Sequence, residues 1–128
     1  MAERNCMKGK KGLLRILNAC RYSRDGFLAV WHDEEAFRQI ALLACVGMPL
    51  ACVVGKTWGE CMLLALPLVI CLLVELLNSA IENAIDRISL EHHPLSKKAK
   101  DMGSAAQFLA QTFLLGTWIT FAISRFTE

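Results

Sequence analysis

Three long stretches without a charged residue constrain this chain more than any other feature of its sequence. They cover residues 39–55, 61–74 and 102–124. A helix needs about 20 predominantly apolar residues to cross a bilayer, and each stretch reaches that length once the flanking residues in the same helical register are counted. We therefore predict an all-α integral membrane protein, a single membrane domain with transmembrane helices over about 35–55, 60–83 and 102–124.

The composition agrees with this fold class. Of the 128 residues, 55% are hydrophobic and only 20% are charged, whereas a soluble chain this short has to maintain a polar shell. These proportions exclude a secreted disulfide-rich miniprotein, a disordered tail and an ordinary water-soluble enzyme. The six cysteines form no CxxC pair, so we interpret all of them as reduced packing residues.

Positive charge is unevenly distributed along the chain. Eight of the 14 Lys and Arg residues lie within residues 1–38 and four within 87–100, while Lys56 alone lies in the first short connection. Because cytoplasmic segments carry the excess of Lys and Arg, we predict a cytoplasmic N-terminus and a cytoplasmic loop over 84–101, with the C-terminus outside. The net charge of +2 does not favour a nucleic-acid partner.

The segment before the first span has a different pattern. Over about residues 6–31, apolar side chains such as Leu13, Leu17 and Phe27 share one helical face, and Arg15 lies opposite. A basic amphipathic helix of this kind lies in the membrane interface rather than crossing it. We expect Asp25 and Gly26 to divide it into two pieces.

The second span carries the polar residues that most need an explanation. Relative to Glu75, four polar residues follow at offsets of 3, 4, 7 and 11: Asn78, Ser79, Glu82 and Asp86. At this spacing all five fall within about 100° of one another on a helix and form one polar stripe. An ionisable side chain at membrane depth costs about 2.5–3.5 kcal/mol or more, so the stripe predicts a functional site or compensating cations.

Other charges are expected at the same membrane surface. Glu34 lies where the first span begins, and Lys100 lies just before the third. Carboxylates such as Glu34 and Glu82 are the hard oxygen ligands that Mg²⁺ prefers, Lys100 suits a phosphate, and Glu75 lies deeper, where a base is placed to act. The alternative is that these charges simply pair between helices and hold the bundle together.

Three blocks of the sequence resemble the prokaryotic diacylglycerol kinases. They are residues 75–82 (ELLNSAIE, followed by Asp86 and Arg87), residues 34–39 (EEAFRQ) and residues 99–106 (AKDMGSAA). Their order and spacing match the family, and the resemblance covers nearly the whole chain. It implies a homotrimer of three-span subunits with shared active sites, located in the bacterial inner membrane among diacylglycerol and other membrane lipids.

The resemblance also implies a reaction, the Mg²⁺-dependent transfer of the γ-phosphate from ATP to diacylglycerol, which gives phosphatidic acid for phospholipid metabolism. By motif position, Glu75 resembles the general base, and Glu34 and Glu82 resemble the carboxylates that hold Mg²⁺ and the nucleotide. Asn78 and Asp86 support the site, and Ser104 lies with Arg15 and Glu75 near the lipid substrate. The remaining nucleotide contacts that the family implies are Arg15, Tyr22, Glu91, His92, His93, Lys100 and Asp101.

Three alternatives stay open at this point. An undecaprenol kinase has the same fold, signature and mechanism, although residues 36–39 and 102–106 look more like the diacylglycerol type. A small proton-coupled transporter would also carry a membrane glutamate, but it predicts a carboxylate near mid-bilayer and no dependence on nucleotide. A structural subunit of a membrane complex predicts that removing Glu75 or Glu82 changes assembly and no catalytic activity.

Overall fold

The computed structural model describes residues 12–127, and this part of the chain contains four helices and no strand. The helices are α1 (Leu13–Asp33), α2 (Glu35–Val54), α3 (Trp58–Ile88) and α4 (Pro94–Thr127). By length and composition, α2, α3 and α4 are each able to cross a membrane. This confirms the predicted all-α fold with three candidate membrane spans.

Helix α1 belongs to one compact unit, and α2 to α4 belong to another. Helix α1 runs without interruption through Asp25 and Gly26, so the break predicted there is wrong. Leu13, Leu17 and Phe27 are each more than half exposed, and an exposed apolar stripe is typical of a helix that lies on a lipid surface. That location stays a prediction, and residues 6–11 of the predicted helix lie outside the described residues.

A tight turn joins α2 to α3. Thr57 precedes the first turn of α3, where its hydroxyl accepts a 3.2 Å hydrogen bond from the Glu60 backbone N–H. The Glu60 carboxylate accepts a further bond of 2.7 Å from the backbone N–H of Lys56, one residue before Thr57, so two side chains satisfy backbone donors at the start of α3. A Cβ at Gly55 would lie 2.9 Å from the backbone nitrogen of Cys61. Only glycine allows the two helix ends to approach this closely.

Helix α3 packs against both α2 and α4 and forms the centre of the second unit. Lipid chains are as apolar as the side chains, so close packing and interhelical hydrogen bonds hold such helices together. The Trp118 indole N–H donates to the Leu64 carbonyl at 3.1 Å, and Gly47 lies directly against Leu68. The buried core comprises Ile40, Ala44, Leu68, Cys71, Ala110 and Leu114.

The loop predicted over 84–101 is much shorter in the structure. Helix α3 continues to Ile88 and α4 begins at Pro94, which leaves only residues 89–93 between them. A helix of 31 residues is about 47 Å long and exceeds the roughly 30 Å hydrocarbon core, so its polar end extends into water as helix. Charged residues at the span borders therefore mark the edge of the membrane and not the end of the helix.

Ion pairs connect α3 and α4 at both of their ends. The Lys100 ammonium donates to the Asp86 carboxylate at 2.6 Å, and Arg125 pairs with Glu60 at the opposite end. Since α2, α3 and α4 alternate in direction, the start of α2 lies at the same end of the bundle as Asp86 and Lys100. This end also carries the polar stripe.

Candidate active site

The polar stripe of α3 changes from buried to exposed along the helix. Glu75 and Ser79 are only 5% and 4% exposed, Asn78 and Glu82 are half-buried, and Asp86 is exposed. Eleven residues of helix correspond to about 16 Å along the axis. The stripe therefore lies on one face of α3, as the helical spacing predicts, and it leads from the interior of the bundle to its surface within about three turns.

Asn78 holds one carboxylate of the stripe in position. Its amide nitrogen donates to the Glu82 carboxylate at 3.2 Å, one turn further along α3. The other amide atom, Asn78 Oδ1, is buried and has no hydrogen-bond partner among residues 12–127. A Cβ at Gly103 of α4 would lie 2.0 Å from that oxygen. Because Gly103 has no side chain, it leaves the space that the Asn78 side chain occupies between α3 and α4.

Glu34 joins Glu75 and Glu82 in one acidic group. It immediately precedes α2, and its side chain makes no capping hydrogen bond there. Both Glu82 and Glu34 lie close enough to Glu75 to act on it electrostatically, Glu82 more strongly. Like charges this near one another are unfavourable without a cation. In the described residues, however, no three His, Cys, Asp or Glu side chains are arranged to hold a metal ion by themselves.

Two of the lysines at this end are engaged with carboxylates. Besides the Lys100 pair with Asp86, Lys97 donates to Asp101 at 2.6 Å, one turn along α4. The predicted phosphate-binding lysine thus has an acidic neighbour that fixes where its ammonium lies. More than a third of each of these four side chains is exposed, so all of them are accessible to a water-soluble ligand.

A cleft of about 240 Å³ opens where α3 ends and α4 begins. Its wall includes Ser89, whose hydroxyl accepts from the backbone N–H of Glu91 at 3.0 Å. The His93 Nδ1 atom accepts from the backbone N–H of Leu95 at 3.2 Å and so satisfies a free donor at the start of α4. Six of the predicted site residues line this cleft: Asp86, Glu91, His92, His93, Lys100 and Asp101.

Three predicted residues lie elsewhere. Arg15 and Tyr22 are exposed on α1, which belongs to the other unit, so their predicted roles stay predictions. Ser104 is exposed on α4 next to Gly103, and its role at the lipid headgroup is likewise untested.

Sequence reasoning missed one buried polar residue, Gln107. It is 7% exposed, and neither atom of its side-chain amide has a hydrogen-bond partner within the described chain. It lies on the face of α4 that also buries Gly103, Ala110 and Leu114. The signal was present in the sequence, because these four residues follow a helical spacing of 4, 3 and 4.

Comparison with known proteins identifies the family of this chain. Residues 21–122 match the family described as prokaryotic diacylglycerol kinase. The diacylglycerol kinase of Pseudomonas aeruginosa is 56% identical over 113 residues, which cover 88% of this chain and 92% of that protein. The diacylglycerol kinase of Helicobacter pylori strain 26695 is 46% identical over 84% of each chain. That of Escherichia coli K12 is 40% identical over 90% of this chain and 94% of its own length.

These matches confirm the family that the three sequence blocks indicated, and the family match covers the stripe, the cleft, all of α2 and α3, and α4 as far as residue 122. The chain belongs to the prokaryotic diacylglycerol kinase family and is a membrane enzyme.

Proposed function

We propose that this kinase transfers the γ-phosphate of ATP to the hydroxyl of diacylglycerol at the end of the bundle that carries the polar stripe, with Glu75 as the general base. A lipid hydroxyl lies at the membrane interface, so its base has to lie just inside the protein at the same depth. The observation that carries this proposal is the burial of Glu75 to 5% exposure at the inner end of a stripe that opens to water.

Glu75 need not be a strong base in this reaction. In phosphoryl transfer the bond to the leaving group is largely broken in the transition state, and alignment and charge neutralisation contribute most of the acceleration. A carboxylate within hydrogen-bond reach of the lipid hydroxyl can accept its proton late in the transfer. Ser104, exposed one residue from Gly103, is the proposed neighbour of the lipid headgroup.

Glu34 and Glu82 are the proposed ligands of Mg²⁺. In phosphate-transfer sites this ion is held by one or two carboxylates together with the phosphates of the substrate, so an additional protein ligand is not required. The donor set fits, because Glu34 and Glu82 are both carboxylates that lie close enough to Glu75 to act on it electrostatically, and a cation relieves the repulsion between such neighbours. Bound Mg²⁺ would neutralise charge on the nucleotide phosphates. The contribution of the chain is to hold the carboxylates, as the Asn78 bond to Glu82 does.

The cleft between α3 and α4 is the proposed nucleotide site. Its wall includes Lys100, Glu91, His92, His93 and Asp101, and Lys100 is also close enough to Glu82 to interact with it electrostatically. The ion pair with Asp86 fixes the position of the Lys100 ammonium before the nucleotide binds. A phosphate then meets a positioned positive charge, which reduces the ordering cost of binding.

Three further features belong to the same proposal. Arg15 and Tyr22 are further proposed contacts of the nucleotide. The functional protein is a homotrimer with active sites shared between subunits. It resides in the bacterial inner membrane with its N-terminus in the cytoplasm and its C-terminus outside, since the basic residues cluster on one side of the spans.

The test is a phosphorylation assay on the full chain in mixed detergent and lipid micelles, with ATP and either diacylglycerol or undecaprenol, in the presence and absence of Mg²⁺. We expect Mg²⁺-dependent formation of phosphatidic acid and a loss of at least about 100-fold in kcat for Glu75→Gln. Glu35→Gln is the matched control, because Glu35 is exposed and its carboxylate accepts a hydrogen bond from the Gln39 side-chain amide at 3.3 Å, within the same helix.

Each alternative function predicts a different result. Preference for undecaprenol would retain the fold and mechanism but change the lipid substrate. A proton-coupled transporter would phosphorylate neither lipid and would instead move protons in vesicles. An unchanged kcat in Glu75→Gln, with an intact fold, would remove Glu75 from the role of base.

A further inference from the structure

Two cysteines face each other across the α2–α3 turn. The sulfur atoms of Cys52, near the end of α2, and Cys61, in the first turns of α3, are 2.9 Å apart. Both are free thiols, and Cys52 is exposed while Cys61 is half-buried. A disulfide bond is about 2.05 Å long, so the two sulfurs need to approach by less than about 1 Å to form one.

The helix ends around this pair are held close by the backbone. A Cβ at Gly55 would already be 2.9 Å from the Cys61 nitrogen, and Cys61 N–H donates to the Thr57 carbonyl at 3.1 Å. The proximity of the two thiols therefore follows from the geometry of the turn and does not depend on a mobile loop.

The turn lies at the end of the bundle opposite the polar stripe. With the orientation proposed above, on which this inference rests, the stripe is cytoplasmic and the turn faces the outside of the inner membrane. Disulfides persist in that compartment, whereas cytosolic thiols are kept reduced. The other described cysteines, Cys20, Cys45 and Cys71, have no cysteine within such a distance among the described residues.

We propose that Cys52 and Cys61 form a redox-responsive disulfide that fastens α2 to α3 at the outer end of the bundle. This revises the reading of all six cysteines as reduced packing residues. The oxidant is an external disulfide, either a small molecule or a thiol–disulfide oxidoreductase.

The exchange proceeds in two balanced steps. The more exposed Cys52 loses its proton and attacks one sulfur of the external disulfide, whose S–S bond breaks and releases one thiol. The Cys61 thiolate then attacks the Cys52 sulfur in this mixed disulfide and releases the second thiol. Two protein thiols have been oxidised, one external disulfide has been reduced, and the two protons end on the released thiols.

The first test uses purified full-length protein in micelles, treated with oxidised glutathione, alkylated and digested with trypsin. Cleavage after Lys56 separates the two cysteines, so a disulfide between them joins two peptides that mass spectrometry detects as one. The joined species should form in Cys45→Ser, should be absent in Cys52→Ser and should disappear with dithiothreitol. Cys45 is the matched control because it lies on the same helix and in the same tryptic peptide.

The second test is performed in intact cells, with thiols trapped by a permeant maleimide before lysis. We expect Cys52 and Cys61 to be protected in aerated cells and labelled after dithiothreitol, whereas Cys20 is labelled in both. The proposal would be overturned if Cys52 were labelled in cells without reductant, or if oxidised glutathione produced no joined peptide in the first test. Neither readout depends on kinase activity, so an inactive but linked protein would contradict the proposed function alone.

The disulfide between Cys52 and Cys61 should increase stability without changing kcat. A 20-residue α2 is about 30 Å long, which separates the disulfide from Glu34 at the other end of the helix. Oxidised protein should survive in SDS with a half-life about tenfold longer than reduced protein. The same comparison in Cys52→Ser should show no difference between the two treatments.

Discussion

Asn78 and Gly103 lie so close together that a Cβ at Gly103 would be 2.0 Å from the Asn78 side-chain oxygen. The same Asn78 side chain donates to the Glu82 carboxylate at 3.2 Å. An α4 glycine thus controls the position of an α3 carboxylate through the side chain between them. Gly103 is therefore needed so that the Asn78 side chain can reach its position beside Glu82, and not only so that two membrane helices can pack closely.

Gly103→Ala should therefore reduce catalysis more than stability. The added methyl group meets the end of a side chain, so Asn78 rotates away and its hydrogen bond to Glu82 is lost. A carboxylate displaced by about 1 Å costs roughly 100-fold in rate, and we expect kcat to fall by about 10- to 100-fold. Steady-state phosphorylation of diacylglycerol at saturating ATP measures this effect.

Gly116→Ala is the matched control, because a Cβ at Gly116 on the same helix meets no atom within 4 Å. It should leave kcat unchanged and raise stability slightly through helix propensity. If Gly103→Ala retained full kcat while its unfolding midpoint fell, the contact between Gly103 and Asn78 would be purely structural.

The pair formed by Asp86 and Lys100 should affect nucleotide affinity and contribute little to stability. Their side chains are 48% and 37% exposed, and ion pairs exposed to water contribute little to stability because solvent screens them. Asp86→Asn should raise the KM for ATP severalfold because Lys100 is no longer positioned, and Lys100→Met should raise it by about tenfold or more. Initial rates over a range of ATP concentrations provide both values.

A double-mutant cycle separates positioning from simple charge. If Asp86 acts through Lys100, adding Asp86→Asn to Lys100→Met should produce no further increase in KM. Additive effects would show that Asp86 contributes to the nucleotide site independently of the lysine.

The pair formed by Arg125 and Glu60 is the structural counterpart at the other end of α3 and α4. These side chains are 22% and 30% exposed, and Arg125 also lies over the Phe121 ring, 5.1 Å from its centre. Glu60→Gln should lower the free energy of unfolding by about 1–3 kcal/mol, since it leaves a partly buried arginine without its carboxylate. The KM for ATP and kcat should not change, because the site lies at the opposite end. SDS titration followed by circular dichroism measures the stability, and a raised KM for ATP would contradict this division of roles.

The features that the sequence predicts well are those set by local periodicity. The length of the apolar stretches determines the three candidate spans, and the spacing from Glu75 to Asp86 places the polar residues on one face of α3. The extent of the 84–101 connection was predicted poorly, because a charged helix end beyond the bilayer has the same composition as a loop. Ion pairs between residues four apart, such as Lys97 with Asp101, are typical of a helix, but the sequence alone does not show that they form.

Contacts between helices could not be predicted in the same way. The sequence places Lys100 and Asp86 at the same membrane surface, but their direct pairing depends on how α4 is rotated against α3. The same rotation decides that Gln107 is buried while Ser104 is exposed. Rotation is determined by the packing of small residues such as Gly103 and Ala110, and many such packings are compatible with one apolar pattern.

Gln107→Leu should stabilise the protein. Both polar atoms of the Gln107 amide are buried without a partner among the described residues, and replacing an unsatisfied polar group by an apolar one of similar size removes its desolvation penalty, about 1–3 kcal/mol. We expect the unfolding midpoint in SDS to rise and the free energy of unfolding to increase by about 1 kcal/mol, since only part of the penalty is recovered in lipid. Gln111→Leu is the control: Gln111 is exposed one turn further along α4, and its replacement should change the midpoint little. A clear loss of stability in Gln107→Leu alone would show that the amide is satisfied by a polar group outside this chain, for which a neighbouring subunit of the proposed trimer is the first candidate to test by cross-linking.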